Sequence, residues 1–261
     1  MTKSYTNKIT LVKNDRGVWG LDPFKGCPYG MGSIYTSKDF GLFETRYNSK
    51  RGCYGICYAN SIAKFRGFNF AKLQKRDFLD QKHFDSISKK LKKIDFVRLG
   101  VNCDPSTDWG HTLKIIGMIK PYIKNIVVIT KHWNELTQDQ LKHLNGVCVN
   151  TSVSALDNEH DLMMRMYWYN ELKKHCKSVL RVCTASFNDM NLKKLQDKLL
   201  NNENVIDNVL RFNKNHELVK AGIINVKKYK FLKTNVYASK HKEDIYFGHC
   251  DGCLEKCGIG L

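Results

Sequence analysis

From Phe84 onward the sequence alternates between two hydrophobic periods, and that alternation restricts the fold more than any other feature. Phe84, Ile87, Leu91 and Ile94 recur at helical spacing, and residues 94–101 (IDFVRLGV) then read as a strand. Trp109, Leu113, Ile116 and Ile119 mark a helix closed by Pro121, before the buried strand 125–130 (NIVVIT). Thr137 caps a short helix carrying Leu141 and Leu144, and 146–151 (GVCVNT) is the next strand. Asp157 is expected to cap a helix with Leu162, Met166, Tyr169 and Leu172 on one face. Strand 178–183 (SVLRVC) follows, then a helix capped by Asn188 with Leu192, Leu195 and Leu199. Residues 205–212 and 234–239 read as further strands. Apolar strands separated by single helices are βα units, and these build a parallel sheet. Right-handed crossovers repeated about six times give a doubly wound sheet or a full or partial barrel. The expected class is therefore α/β, with chemistry at the carboxyl ends of the strands.

Around this alternating region, 76–240, lie a Gly- and Cys-rich N-terminal segment, 1–75, and a Cys-rich tail, 241–261. All three are read as parts of one domain, without internal repeats or low-complexity linkers. Hydrophobic residues make up 42% of the 261, enough to exclude a disordered chain. No apolar run is long enough to cross a bilayer, and the N-terminus lacks the apolar core of a signal peptide. A soluble, cytoplasmic protein without membrane contact is expected.

Forty-three Lys and Arg against 25 Asp and Glu leave a formal charge of +18. Such a field attracts polyanions, and nucleic acid is the commonest. A Lys- and Asn-rich composition spread over a solvated surface is the plain alternative, and charge alone does not separate the two.

The ten cysteines are more specific. A reducing compartment disfavours disulfides. Cys27 lies in KGCPYGMG, Cys53 and Cys57 in RGCYGICYAN, and Cys250, Cys253 and Cys257 in GHCDGCLEKCGIG. These are Gly-rich loops, in which thiolates can turn toward a metal. Gaps of two to four residues suit zinc or an iron–sulfur cluster. Cys148, Cys176 and Cys183 sit in apolar segments and read as buried small hydrophobes.

Small polar groups gather where the strands end: Asn102, Cys103, Asp104 and Ser106; then Thr130, Lys131, His132 and Trp133; then Asn150, Thr151, Ser152 and Ser154; then Arg181 and Thr184. Turn and capping chemistry accounts for much of this, but poorly for Lys131 and Arg181.

The order of these pieces resembles the radical S-adenosylmethionine superfamily, in the branch of spore photoproduct lyase and its phage relatives. The resemblance rests on a Cys-rich loop ending in Cys57-Tyr58-Ala59, a strand ending in Asp104-Pro105, one ending in Ile129-Thr130-Lys131, and one ending in Ser152-Val153-Ser154. It spans roughly residues 50–185. It implies a partial (β/α)6 barrel with a Cys-rich loop and tail. It also implies a 4Fe-4S cluster held by three cysteines, with S-adenosylmethionine on the fourth iron. Reductive cleavage then yields a 5′-deoxyadenosyl radical. An electron donor such as flavodoxin or ferredoxin is implied too. The family spacing C-x3-C-x2-C is not kept, because Asn60 stands where the third cysteine would be. Cys27 is therefore expected to join Cys53 and Cys57 as metal ligand, folding back across about 25 residues at modest closure cost.

Under this resemblance Asn102, Asp104, Thr130, Lys131, Ser152, Ser154 and Arg181 line the cofactor and substrate pocket, with Arg181 or Lys131 on the methionine carboxylate. Cys103 occupies the place of a catalytic hydrogen donor, against the plainer reading of a buried thiol. Trp133 is expected to stack on a base or on adenine. Cys250, Cys253 and Cys257 would hold a second iron–sulfur cluster, or zinc with His249. The expected substrate is a nucleic acid or nucleotide. The competing class is a non-catalytic nucleic-acid-binding protein with zinc sites. A barrel enzyme acting on a phosphorylated small molecule ranks last, for want of a Gly-rich phosphate loop.

Overall fold

The computed structural model describes residues 7–31, 35–36, 43–44, 53, 56–231, 234–247 and 250–261. Its centre is a seven-stranded sheet. The strands are β1 (Leu11–Lys13), β2 (Trp19–Leu21), β3 (Phe96–Leu99), β4 (Asn125–Thr130), β5 (Val147–Val153), β6 (Lys177–Thr184) and β7 (Val205–Val209), and they lie side by side in chain order. β1 pairs antiparallel with β2, and every later pair is parallel.

The helices are α1 (Tyr58–Phe65), α2 (Gln81–Leu91), α3 (Trp109–Ile119), α4 (Gln138–Lys142), α5 (Glu159–Leu172), α6 (Met190–Leu200) and the single turn α7 (Glu217–Lys220). Strand alternation divides the sheet into two chemical faces. Val97, Leu99, Ile126, Val128, Val147 and Val149 pack against Ile87, Leu91, Ile115, Ile116, Leu141 and Leu172 of the helices. Val153, Leu180 and Val182 continue that face against Tyr169 and Leu199. The opposite face is mixed: Val127, Cys148, Val179 and Ile206 form an apolar floor, and the tail residues Cys257 and Ile259 pack on it.

The strands and helices from residue 84 to 209 fall where the alternation puts them, but two caps shift by one residue. Asn158, not Asp157, accepts the Asp161 amide at the start of α5. Asp189, not Asn188, caps α6, and Asn188 donates to the Gly222 carbonyl at 2.7 Å. Thr137 does cap α4, with Gln140 completing a reciprocal capping box. The strand expected over 205–212 stops at Val209. Residues 234–238 form a separate hairpin with Lys227–Phe231. The N-terminal segment, read as irregular, contributes β1, β2 and α1. No helix among the described residues is long and apolar enough to cross a membrane.

Candidate functional site

Two buried aspartates shape the loops at the carboxyl ends of β2, β3 and β4. Asp22, just after β2, accepts the amides of Gly100, Val101 and Asn102 at 3.2, 2.8 and 3.0 Å, and the Asn102 side chain at 3.1 Å. Gly100 is required there. Its φ is +91°, and a Cβ would lie 2.3 Å from the Ile129 carbonyl oxygen. Asp104 accepts the Ser106 amide and hydroxyl at 2.9 and 2.8 Å, the Thr130 hydroxyl at 2.7 Å and the Lys131 amide at 2.8 Å. It thereby binds the loop after β3 to the loop after β4. Asn102, Asp104 and Thr130 thus spend hydrogen bonds on fixing the rim itself. Ser154 does the same: its hydroxyl donates to the Cys183 carbonyl at 2.9 Å and its amide to Asp157 at 2.8 Å.

Behind this rim lies a buried charge network. Arg165 of α5 pairs with Asp157 at 2.5 Å and with Asp161 at 3.6 Å. Its Nε donates to the Lys131 carbonyl at 2.8 Å. Lys131 extends its ammonium to Asp157 at 3.3 Å. Freed from capping, Asp157 joins three segments. The Trp133 indole is stacked on Tyr29, ring centroids 4.4 Å apart, and the Arg165 guanidinium lies 4.7 Å from its ring centre. Trp133 is itself buried. With Tyr29 and Arg165 against its ring and the side chain buried, the expected stacking of Trp133 on a base or adenine is not available in this arrangement.

His132 sits between these groups with a left-handed backbone, φ 49°. Its Nε2 is 3.0 Å from the Thr151 hydroxyl. Burial, with the Arg165 charge beside it, pushes its pKa down to about 3. The folded protein therefore keeps this imidazole neutral where the unfolded chain binds a proton. Stability is fully present above about pH 6.5 and falls toward about pH 3, by at most about 1.4 kcal/mol per pH unit. His132→Asn, which tolerates the backbone, is expected to flatten that slope in urea titrations between pH 4 and 7.

The cysteines of the N-terminal loops converge on the same rim. Cys27 and Cys57 share a cluster with Ala59, Ala63 and Phe70. Gly30 lies so close that a Cβ there would stand 3.1 Å from the Cys57 sulfur. Cys53 and Cys57 are both within electrostatic reach of Cys27, as is Asp104. Burial raises all three thiols, Cys53 up to about 12 despite the nearby Lys131 and Arg165 cations. Burial, with the negative charges of Asp22 and Asp104 nearby, holds the Cys103 thiol well above the usual range. Among the described residues no group of three or more His, Cys, Asp or Glu side chains is gathered tightly enough to hold a single metal ion.

The other expected residues stand apart from this rim. Ser152 is buried and, by strand alternation, faces the tail side of the sheet with Asn150 and Arg181. Arg181 donates to the Asn208 side chain. Cys257 lies against Cys148 and Val179, and its carbonyl accepts from Asn150 at 3.0 Å. The tail therefore packs on the face of the sheet away from α2 to α6. His249 lies outside the described residues.

Sequence reading missed Asp22, Tyr29 and Arg165 as parts of this region. Arg165 carried a usable signal, a cation on the helical face otherwise expected to be apolar. Asp22 carried none. No protein-family model, curated protein or solved structure matches the chain.

Proposed function

We propose that this chain is a radical S-adenosylmethionine enzyme built on a partial (β/α)6 barrel, acting on a nucleic acid or nucleotide. What supports the reading is that Cys27, about 25 residues earlier in the chain, lies within electrostatic reach of Cys53 and Cys57, with Asp104 and Lys131 close to the same thiols. The barrel reading draws on six parallel strands in chain order with α2 to α6 packed on one face, since right-handed crossovers of one sense curl a sheet.

The donor set fits a 4Fe-4S cluster. Three thiols are present, and a cluster spans more space than one ion. Cys27, Cys53 and Cys57 would hold it, with one iron left open for the cofactor. When bound, that pair supplies reductive cleavage of a sulfonium and a carbon radical able to take hydrogen from substrate. The chain's own residues provide the setting. Lys131, of the two expected cations, lies within reach of Cys53 and is the better partner for a carboxylate. Asp104 and Asp22 keep the rim loops fixed. Cys103 retains its proton on sulfur, as a hydrogen donor must. The +18 charge supports a polyanionic substrate.

Anaerobic reconstitution with iron and sulfide, then assay for 5′-deoxyadenosine under reducing conditions, tests the reading. Cofactor cleavage is the expected result. A fully loaded cluster without cleavage overturns it, and zinc without iron moves the assignment to the nucleic-acid-binding class.

A further inference from the structure

Three arginines meet on the face of the sheet away from α2 to α6. Arg98 of β3 is only 9% exposed. Its register partners, Gly20 of β2 and Val127 of β4, offer no side-chain acceptor. Among the described residues its one hydrogen-bond acceptor is the Cys257 sulfur, 3.9 Å from Nη1, and its buried Nε has none. Arg181 of β6 shares that face, where it donates to the Asn208 side chain. Arg16 stands in the turn between β1 and β2, and its carbonyl accepts the Cys250 amide at 2.8 Å. The buried Phe231 ring carries the Arg16 guanidinium 5.6 Å from its centre. Burial first, and then the charges of Arg16 and of Arg98 three strands away, press Arg181 below the usual guanidinium range.

Among the described residues neither Arg98 nor Arg181 forms an ion pair with a carboxylate. Glu255 is the acid within electrostatic reach of Arg181, and burial holds its carboxyl above the usual range. Guanidiniums keep their protons when buried, and a buried cation without a counter-charge destabilises the fold. The counter-charge such a cluster calls for is an anion the chain binds. A hydroxyl donor stands beside it. Ser152, the register partner of Arg181, is buried on the same face and makes no side-chain hydrogen bond among the described residues.

The guanidinium fork matches carboxylate or phosphate oxygens in pairs. Three such forks and a hydroxyl exceed what a singly charged carboxylate can satisfy. They suit a phosphomonoester, which carries a charge of roughly −2 and three acceptor oxygens at neutral pH. A phosphodiester inside a strand carries one charge and has sugar on both sides, so it does not reach an arginine buried as deeply as Arg98.

We propose that Arg98, Arg181 and Arg16, with the Ser152 hydroxyl, bind the phosphomonoester of a mononucleotide. Arg181 is thereby assigned to phosphate and not to the methionine carboxylate. The phosphate is read from this face alone; that it belongs to a nucleotide rests on the reading above, and deepens it by choosing a free nucleotide over a polymer.

The test titrates full-length protein, purified without oxygen, with inorganic phosphate, thymidine 5′-monophosphate, thymidine, and a thymidine oligonucleotide with hydroxyl ends. Thymidine avoids the adenine of the cofactor. Phosphate is expected to raise the thermal midpoint, and the monophosphate to bind at least about tenfold more tightly than phosphate, thymidine or the oligonucleotide. Arg98→Met supplies the readout that a structural arginine would not give. Without ligand it should unfold at a higher temperature than the parent, because an unbalanced buried charge is gone, and phosphate should no longer shift it. Arg181→Gln should weaken phosphate binding at least about tenfold, and it decides the matter should Arg98→Met fail to fold. No binding of phosphate or the monophosphate by the parent overturns the proposal. So does a lowered midpoint in Arg98→Met with the phosphate shift retained, or unchanged affinity in Arg181→Gln. Equal affinity for phosphate and the monophosphate rejects the nucleotide and keeps the anion site, and equal affinity for the oligonucleotide overturns the choice of a free nucleotide. Phosphate binding that needs Arg98, in a protein that cleaves no cofactor, rejects the radical reading and leaves this site standing; cleavage without phosphate binding does the reverse.

Discussion

Cys53→Ser is expected to lower cofactor cleavage by more than about 100-fold, beyond the loss typical of an outer-shell partner. The residue sits in a bend outside the helices and the sheet, so far-UV circular dichroism and the unfolding midpoint should barely change. The loss is specific because three thiols are the minimum that holds a cluster with one open iron. Cys176→Ser is the matched control, since Cys176 packs against the helix-covered core and is remote from this rim. A second readout follows from the raised thiols. Burial keeps Cys27, Cys53 and Cys57 protonated at neutral pH, so loading must release about three protons. Cluster uptake is therefore expected to strengthen as pH rises. Normal iron content and normal cleavage in Cys53→Ser would remove the basis of the assignment.

Asp104→Ala should destabilise the fold by about 2–4 kcal/mol, among the largest single-residue effects outside the apolar core. It leaves the Ser106 and Lys131 amides and the Thr130 hydroxyl facing a carboxylate that is gone. Water reaches this buried site poorly, so each donor carries much of its desolvation cost. Asp104→Asn should cost roughly half as much, because one oxygen can still accept from Ser106 and Thr130. Chemical denaturation of the metal-free proteins measures both. Equal stability of Asp104→Ala and the parent chain would show that the two loops hold their positions without it.

The parallel strands and their helices were legible because burial on two sides leaves a simple trace. Residues 126–129 (IVVI) and 147–149 (VCV) are short apolar runs at the start or middle of their strands, and the helices between strands repeat at 3.6. The caps at Asp157 and Asn188 were misread by one residue because Asp, Asn and their neighbours are chemically equivalent as caps. Which member of each pair caps its helix depends on what else competes for it. Asp157 is held by Arg165 and Lys131, which the sequence does not place beside it. β1 and β2 were missed because three-residue strands are too short to show a period.

The rim was legible as a set of residue types and not as a set of roles. Asn102, Asp104, Thr130 and Ser154 do stand near strand ends, but their side chains hold loops together. Their role depends on partners up to 80 residues away, such as Asp22 with Asn102. Trp133 shows the same limit, since Tyr29 and Arg165 cover it from distant segments.

Periodicity and spacing alone determined the α/β class, the strand sequence and the grouping of cysteines into short runs, because these are local properties of neighbouring residues. Tertiary structure alone decided that Cys27 lies within electrostatic reach of Cys53 and Cys57, and that Cys257 lies beside Arg98 on the face of the sheet away from α2 to α6. The physical reason is that charge and hydrogen bonding act over a few ångströms of space, whatever length of chain separates the groups.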